Sequence, residues 1–171
     1  MHKCQWQALK GLCVVVVVSC LSGCAGTTSI QQSHPLIVPA GTADGAKVYF
    51  IRPDPGFRGV MDKPLTISLD GKEILALAKG QYTLLLLRPG TTQMRLDFHT
   101  VVGPSNTMTP VSTASTLTLS PGSAQYLVFE LVPRGFGAGS TFIPRQVPRD
   151  RALEMAKGLS PVGMAARETL Q

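Results

Sequence analysis

The chain has 171 residues, 16 of them Lys or Arg and 10 Asp or Glu, for a formal net charge of +6. That length suits one domain with a tail and excludes a multidomain assembly; 44% hydrophobic and only 15% charged residues exclude a disordered polyampholyte. Together 17 Gly and 13 Pro make up about 18% of the chain against about 12% on average, which favours many turns over long helices.

The four cysteines, Cys4, Cys13, Cys20 and Cys24, all fall within the first 24 residues. A disulfide framework needs partners spread over the domain, so this spacing excludes one. Lys3 and Lys10 make a positive beginning, and residues 11–21 are an apolar run centred on Val14 to Val18. That is the build of a secretory signal peptide, too short to span a bilayer of ~30 Å. The run ends in Leu21-Ser22-Gly23-Cys24, which resembles the lipobox of bacterial lipoproteins. The resemblance implies cleavage between Gly23 and Cys24, a diacylglycerol thioether on Cys24, and a further acyl chain such as palmitate on the new amino terminus. Val17-Val18-Ser19-Cys20 is a poorer match, and an ordinary signal peptide with incidental cysteines is the alternative. Ala25 rather than Asp follows the cysteine, which by resemblance to the sorting pattern of enteric bacteria implies the outer membrane, periplasmic face, with the inner membrane as the alternative. Three acyl chains would make a stable anchor where one is marginal. Removing residues 1–23 takes away Lys3 and Lys10, so 14 basic residues remain against 10 acidic, +4 over 148 residues. It also removes Trp6, the single tryptophan.

Residues 24–45 then read as a lipidated flexible tether, because the stretch from Ala25 to Gly45 has no sustained period and is rich in Gly, Ser, Thr, Pro and Gln. Flexible-chain statistics put the domain about 25 Å from the anchor. Leu36-Ile37-Val38 is apolar enough to dock as an edge strand instead. From Ala46 the period becomes two. Lys47 to Ile51 is β-branched and aromatic, as strands prefer. Leu65, Ile67 and Leu69 alternate with Thr66, Ser68 and Asp70, and Asp70-Gly71 supplies the positive-φ pair of a tight hairpin leading into Glu73 to Leu77. Tyr82 to Leu87 is apolar throughout, which predicts a central strand covered on both faces. Pro89-Gly90 fits a type II turn, followed by a return strand with Met94, Leu96 and Phe98 on one face and Arg95, Asp97 and His99 on the other. The device repeats, with Thr113 to Leu119, then Pro121-Gly122, then Gln125 to Val132, and a short strand at Thr141 to Ile143. Ala152, Leu153 and Ala156 return at helical spacing, Gly158 reads as a stop, and Ser160-Pro161 as the start of a second short helix. The predicted organisation is therefore a signal peptide over 1–23, a tether over 24–45, a β-domain over 46–147 and a helical tail over 148–171. The fold class is mainly β: a β-sandwich, Ig-like or a partly open barrel, with a short C-terminal helical tail.

The succession Tyr49-Phe50-Ile51-Arg52-Pro53, Leu69-Asp70-Gly71-Lys72, Gly80-Gln81-Tyr82 and Arg88-Pro89-Gly90 resembles a small bacterial lipoprotein domain of unknown function. The resemblance covers residues 46–132, supports the β-sandwich, and implies no catalytic residue.

Residue types that carry catalysis are sparse. With the signal removed, the histidines left are His34 in the tether and His99 at a strand end, and Cys24 is consumed by lipid. No nucleophile elbow or paired zinc histidines occur, and Asp54 and Asp62 lack the dense oxygen spacing of a calcium loop. The sequence therefore predicts no catalytic residue, no metal and no cofactor. Gly135-Phe136-Gly137-Ala138-Gly139-Ser140 invites a phosphate-loop reading, but Thr141-Phe142-Ile143-Pro144 after it is extended where such loops need a helix. Nucleic acid is excluded as a partner, since base-stacking aromatics are not interleaved with the basic residues. The partners predicted are a membrane, through the N-terminal lipid, and an unidentified envelope protein or glycan; the sequence does not fix the oligomeric state. Two loops carry candidate binding residues, with Phe packing at the sandwich ends as the structural alternative: residues 52–64 with Arg52, Asp54, Phe57 and Arg58, and residues 133–144 with Arg134 and Phe136. The expectation is a non-enzymatic envelope interaction or structural module. A solute- or glycan-binding protein using the two loops is the alternative, favoured by a cleft lined by Tyr49, Tyr82 or Tyr126. A hydrolase would require Ser, His and acid side chains converging at His99.

Overall fold

The computed structural model describes residues 28–54, 56, 63–168 and 170; the signal region with Gly23 and Cys24, and Phe57 and Arg58, lie outside these. Ten strands make two open five-stranded sheets. The strands are β1 (Ser29–Ile30), β2 (Ala46–Arg52), β3 (Leu65–Leu69), β4 (Lys72–Leu77), β5 (Gln81–Leu87), β6 (Gly90–Val102), β7 (Thr107–Leu119), β8 (Ala124–Pro133), β9 (Ser140–Gln146) and β10 (Ser160–Gly163). Among the described residues one helix, α1 (Arg149–Ala156), and a 3₁₀ turn (Met164–Ala166) accompany the strands. The front sheet has the order β1-β4-β3-β6-β7 and the back sheet β10-β5-β2-β8-β9. The chain is mainly β and fits a β-sandwich.

The two sheets bury different sequence patterns. Alternate residues of β3 and β6, among them Leu65, Ile67, Leu69, Met94, Leu96 and Phe98, point into the inter-sheet core and meet Ala46, Val48, Phe50, Leu85, Leu87, Leu127, Phe129 and Phe142 from the back sheet. Phe50 stacks on Phe129 at 6.1 Å and Phe98 meets Phe142 edge-on at 5.1 Å, the offset and perpendicular geometries that aromatic quadrupoles favour. The back sheet also buries its outer face. Tyr49, Ile51, Tyr82, Leu84 and Val128 form a second cluster with Ala152 of α1 and Ala165 of the 3₁₀ turn. The unbroken apolar run of β5 is explained by this double cover.

Asp70 and Gly71 hold positive φ of 49° and 78° and close the β3–β4 hairpin, as the sequence predicts. The two Pro-Gly steps do something else. Residues 88–89 lead from β5 in the back sheet to β6 in the front sheet, and Pro121-Gly122 leads from β7 back to β8. β6 is therefore no return partner of β5: it pairs with β3 and β7. The physical reason is in the patterns themselves. A strand apolar on both faces belongs in the covered sheet, and one alternating with Arg95, Asp97 and His99 belongs where one face is wet.

Both terminal segments depart from expectation. The stretch read as a tether is not free from Thr28 onward. β1 pairs with β4, the Gln31 N–H donates to Ile74 O at 2.9 Å, Val38 N–H to Leu86 O at 2.9 Å and Arg88 N–H to Leu36 O at 2.8 Å. Ile30, Leu36 and Ile37 pack against the inter-sheet core, and His34 is buried with its Nδ1 accepting the Leu36 N–H at 3.1 Å. Scattered apolar residues without a period suffice here because they strap across an existing sheet edge. At the other end α1 forms and Gly158 stops it at φ 80°. Ser160-Pro161 starts no helix: it opens β10, parallel to β5 from Gln81 to Leu84. Proline is tolerated in an edge strand, and the exposed edge of β5 supplies the partner. Residues 36–38 and β10 thus share that one edge.

Candidate functional site

Antiparallel register sorts the loops into two groups. One end of the sandwich carries the β2–β3 connection (residues 53–64), the β4–β5 turn (78–80), the β6–β7 turn (103–106), the β8–β9 loop (134–139) and the link from α1 to β10 (157–159). Thr28, where the described chain begins, sits at this same end. Its hydroxyl bonds to Gln81 Oε1 and accepts the Ala78 N–H at 3.2 Å. Both loops singled out by sequence therefore meet at one end, beside the entry of the N-terminal segment.

Within that end the candidate residues take different roles. Arg52 is no surface group. It is 2% exposed, shares the inward parity of Val48 and Phe50, donates from Nη1 to Leu77 O at 2.6 Å and stacks over Phe142 at 5.2 Å. A guanidinium bonded to a carbonyl of the front sheet and stacked on a ring of the back sheet braces the mouth of the sandwich. Period-two parity from Ala46 was the signal that placed it inside. Asp54 accepts the Gly56 N–H at 2.8 Å and lies 3.9 Å from Lys79, so it shapes its own turn. Arg134 is exposed, and Phe136 is fully exposed at the tip of the β8–β9 loop, packed on nothing. The reading of Phe136 as a cap on the core end is thereby corrected.

The β8–β9 loop is built, with its backbone tied at both sides. Arg134 N–H donates to Gly139 O at 2.9 Å, and Gly103 N–H of the neighbouring turn donates to Gly137 O at 3.0 Å. At Gly139, φ is 74° and a Cβ would stand 2.7 Å from Thr100 Oγ1, while the next amide, Ser140 N–H, donates to that hydroxyl at 2.9 Å. Glycine is the residue that lets the loop root this close. Met108, 41% exposed, lies at the foot of the adjacent turn.

Charge divides the two ends. Among the described loop residues of this end, Lys63, Lys79, Arg134 and Lys157 are basic and Asp54 is acidic. At the opposite end the connections 39–45, 70–71, 88–89, 120–123 and 147–148 hold Asp44 and Asp70 against Arg88. The loop end beside Thr28 is net basic, whereas the far end, where Lys47, Lys72 and Arg149 stand at the start of the adjoining elements, is of mixed charge.

Two other regions bear on chemistry. Asp97, His99 and Ser112 line a shallow depression of about 340 Å³ on the wet face of the front sheet. The Ser112 hydroxyl donates to Asp97, which also accepts from Arg95 Nε at 2.8 Å. The serine is thus engaged by the acid, whereas a nucleophile needs the base placed on its hydroxyl. Tyr49 and Tyr82 are buried in the outer layer and Tyr49 stacks on Tyr126 at 5.0 Å, so these rings serve packing where a solute cleft would have used them. Burial raises the Tyr49 hydroxyl above its ordinary range, and the hydrogen bond that the Lys47 ammonium donates to the Glu168 carboxylate raises Lys47.

Comparison with family models, with curated proteins and with solved structures found no match. The functional reading therefore rests on the residues and their geometry.

Proposed function

We propose that the chain is a lipid-anchored bacterial envelope protein whose sandwich is a non-enzymatic interaction or structural module, held at the periplasmic face of the outer membrane through Cys24. The observation that carries this reading is the spacing between sequence and fold. Residues 11–21 and Leu21-Ser22-Gly23-Cys24 have the build of a lipoprotein signal, and Thr28, four residues after Cys24, is already bonded to Gln81 and Ala78. An anchor at Cys24 would leave the sandwich whole, since the part removed precedes every described element.

The test is metabolic labelling with an alkyne-bearing fatty acid. Wild type is expected to incorporate label and to lose Trp6, so the mature protein shows no indole emission. Cys24→Ser is expected to lose the label and to accumulate as a precursor that retains indole emission. Label persisting in Cys24→Ser, or indole emission from the mature wild type, would refute the assignment.

A further inference from the structure

We propose that the loop end of the sandwich that carries Thr28 lies against the anionic headgroups of the membrane holding the anchor, with Phe136 entering that interface. This orientation rests on the anchoring reading above.

The first argument is reach. Thr28 is four residue steps from Cys24, and a fully extended chain covers at most about 3.6 Å per step, so Thr28 stays within about 14 Å of the lipidated cysteine. The 25 Å expected of a free tether is not available, because residues 28–45 are spent on the sheet edges. A domain held this closely presents one end to the bilayer, and it is the end where Thr28 enters.

The second argument is what that end carries. Three strand spacings of about 4.8 Å separate β5, on whose first residue Thr28 rests, from β9. The β8–β9 loop is thus about 14 Å from the entry point along the same end, within the footprint of a domain lying end-on. Its tip is a fully exposed Phe on a loop tied by the Arg134–Gly139 and Gly103–Gly137 hydrogen bonds, and Met108 stands beside it. Lys63, Lys79, Arg134 and Lys157 stand on the loops of this same end, with Asp54 the acidic residue among the described loops there. An aromatic projecting among basic residues fits an interface that is apolar below and anionic above. The far end, where Asp44 and Asp70 stand with Lys72, Arg88 and Arg149, is of mixed charge and carries no fully exposed aromatic among the described residues.

The experiment uses the lipidated full chain reconstituted in vesicles of equal parts phosphatidylethanolamine and phosphatidylglycerol. An environment-sensitive fluorophore is placed on Phe136→Cys or, at the far end, on Ala43→Cys. The expected result is a blue shift and quenching by doxyl-labelled lipid at position 136, with position 43 remaining aqueous. In phosphatidylcholine vesicles, or in Lys63→Glu/Arg134→Glu/Lys157→Glu, the shift at 136 is expected to shrink. An aqueous probe at 136 on a protein whose Cys24 carries lipid would overturn the orientation and leave the anchor standing. Equal shielding at 43 and 136, or shielding at 136 only after peptidoglycan is added, would overturn it too. Absence of lipid on Cys24 would overturn both readings together.

Discussion

The front and back sheets have five strands each and share one core, yet they meet solvent in opposite ways. The outer face of the front sheet is a wet lattice of Thr, Ser, Arg and Asp, with Arg95, Asp97 and Ser112 bonded across strands. The back sheet is roofed by α1 and the 3₁₀ turn, and its outer edge is finished by residues 36–38 and β10. Sheets of equal size can thus differ in what they require of the rest of the chain. The front sheet takes only the two residues of β1 from a terminal segment and is otherwise closed by its own hairpins; the back sheet borrows from both terminal segments.

The comparison can be broken most severely by removing the borrowed parts. A chain ending at Gly158 lacks β10 and the 3₁₀ turn, leaving the edge of β5 and the Leu84 side chain bare. It is expected to lose cooperative urea unfolding and to bind a hydrophobic dye, while retained cooperativity would show the roof to be dispensable. Next in size is a matched pair of outward-facing positions. Leu84→Ala in the roofed sheet is expected to cost about 2–5 kcal/mol, and Thr118→Ala on the wet face of β7 less than about 1 kcal/mol, both read from urea midpoints. Similar losses would mean that the two outer faces are not different in kind.

A smaller effect tests how the two terminal segments fit. Gly163 has φ 61°, and a Cβ there would lie 2.5 Å from Ile30 Cδ1. Gly163→Ala is expected to cost about 1–3 kcal/mol. Adding Ile30→Ala should restore part of it, since the clash is relieved while the positive φ remains. Smallest is a charge effect confined to the front sheet. The Gln93 N–H, donating to the Asp70 carboxylate at 2.9 Å, holds that carboxyl below its usual range. Its stabilising contribution is therefore present above the unfolded carboxylate pKa of about 3.9 and disappears as pH falls through the lowered folded value. Asp70→Asn keeps a residue suited to φ 49° and should narrow the gap to wild type on acidification. A gap independent of pH would remove the carboxylate from the account.

What was legible in the sequence was whatever local chemistry decides. Asp70-Gly71 demands positive φ wherever it stands, and an unbroken run such as Tyr82 to Leu87 must be covered twice. The α1 stop at Gly158 is of the same kind. Non-local decisions were hidden. Pro89 and Pro121 announce bends, but only the layer in which the next strand finds its partner decides whether the bend is a hairpin or a crossing. Ser160-Pro161 carries good helix-start chemistry and is overruled by a free strand edge supplied 80 residues earlier. At the loop end, the full exposure of Phe136 was not legible, because an aromatic in a glycine-rich loop can equally cap the core end. The inward turn of Arg52 was obscured by Pro53 after it, although its parity with Val48 and Phe50 pointed inside.

The contact between Ile30 and Gly163 also has a bearing on time. Synthesis delivers the first of these residues long before the second, so the back sheet waits for nearly the whole chain with the flank of β5 only half dressed. Closing so long a loop is slow, and an unpaired strand flank is a template for other chains. Completion therefore waits until Gly163 has been made.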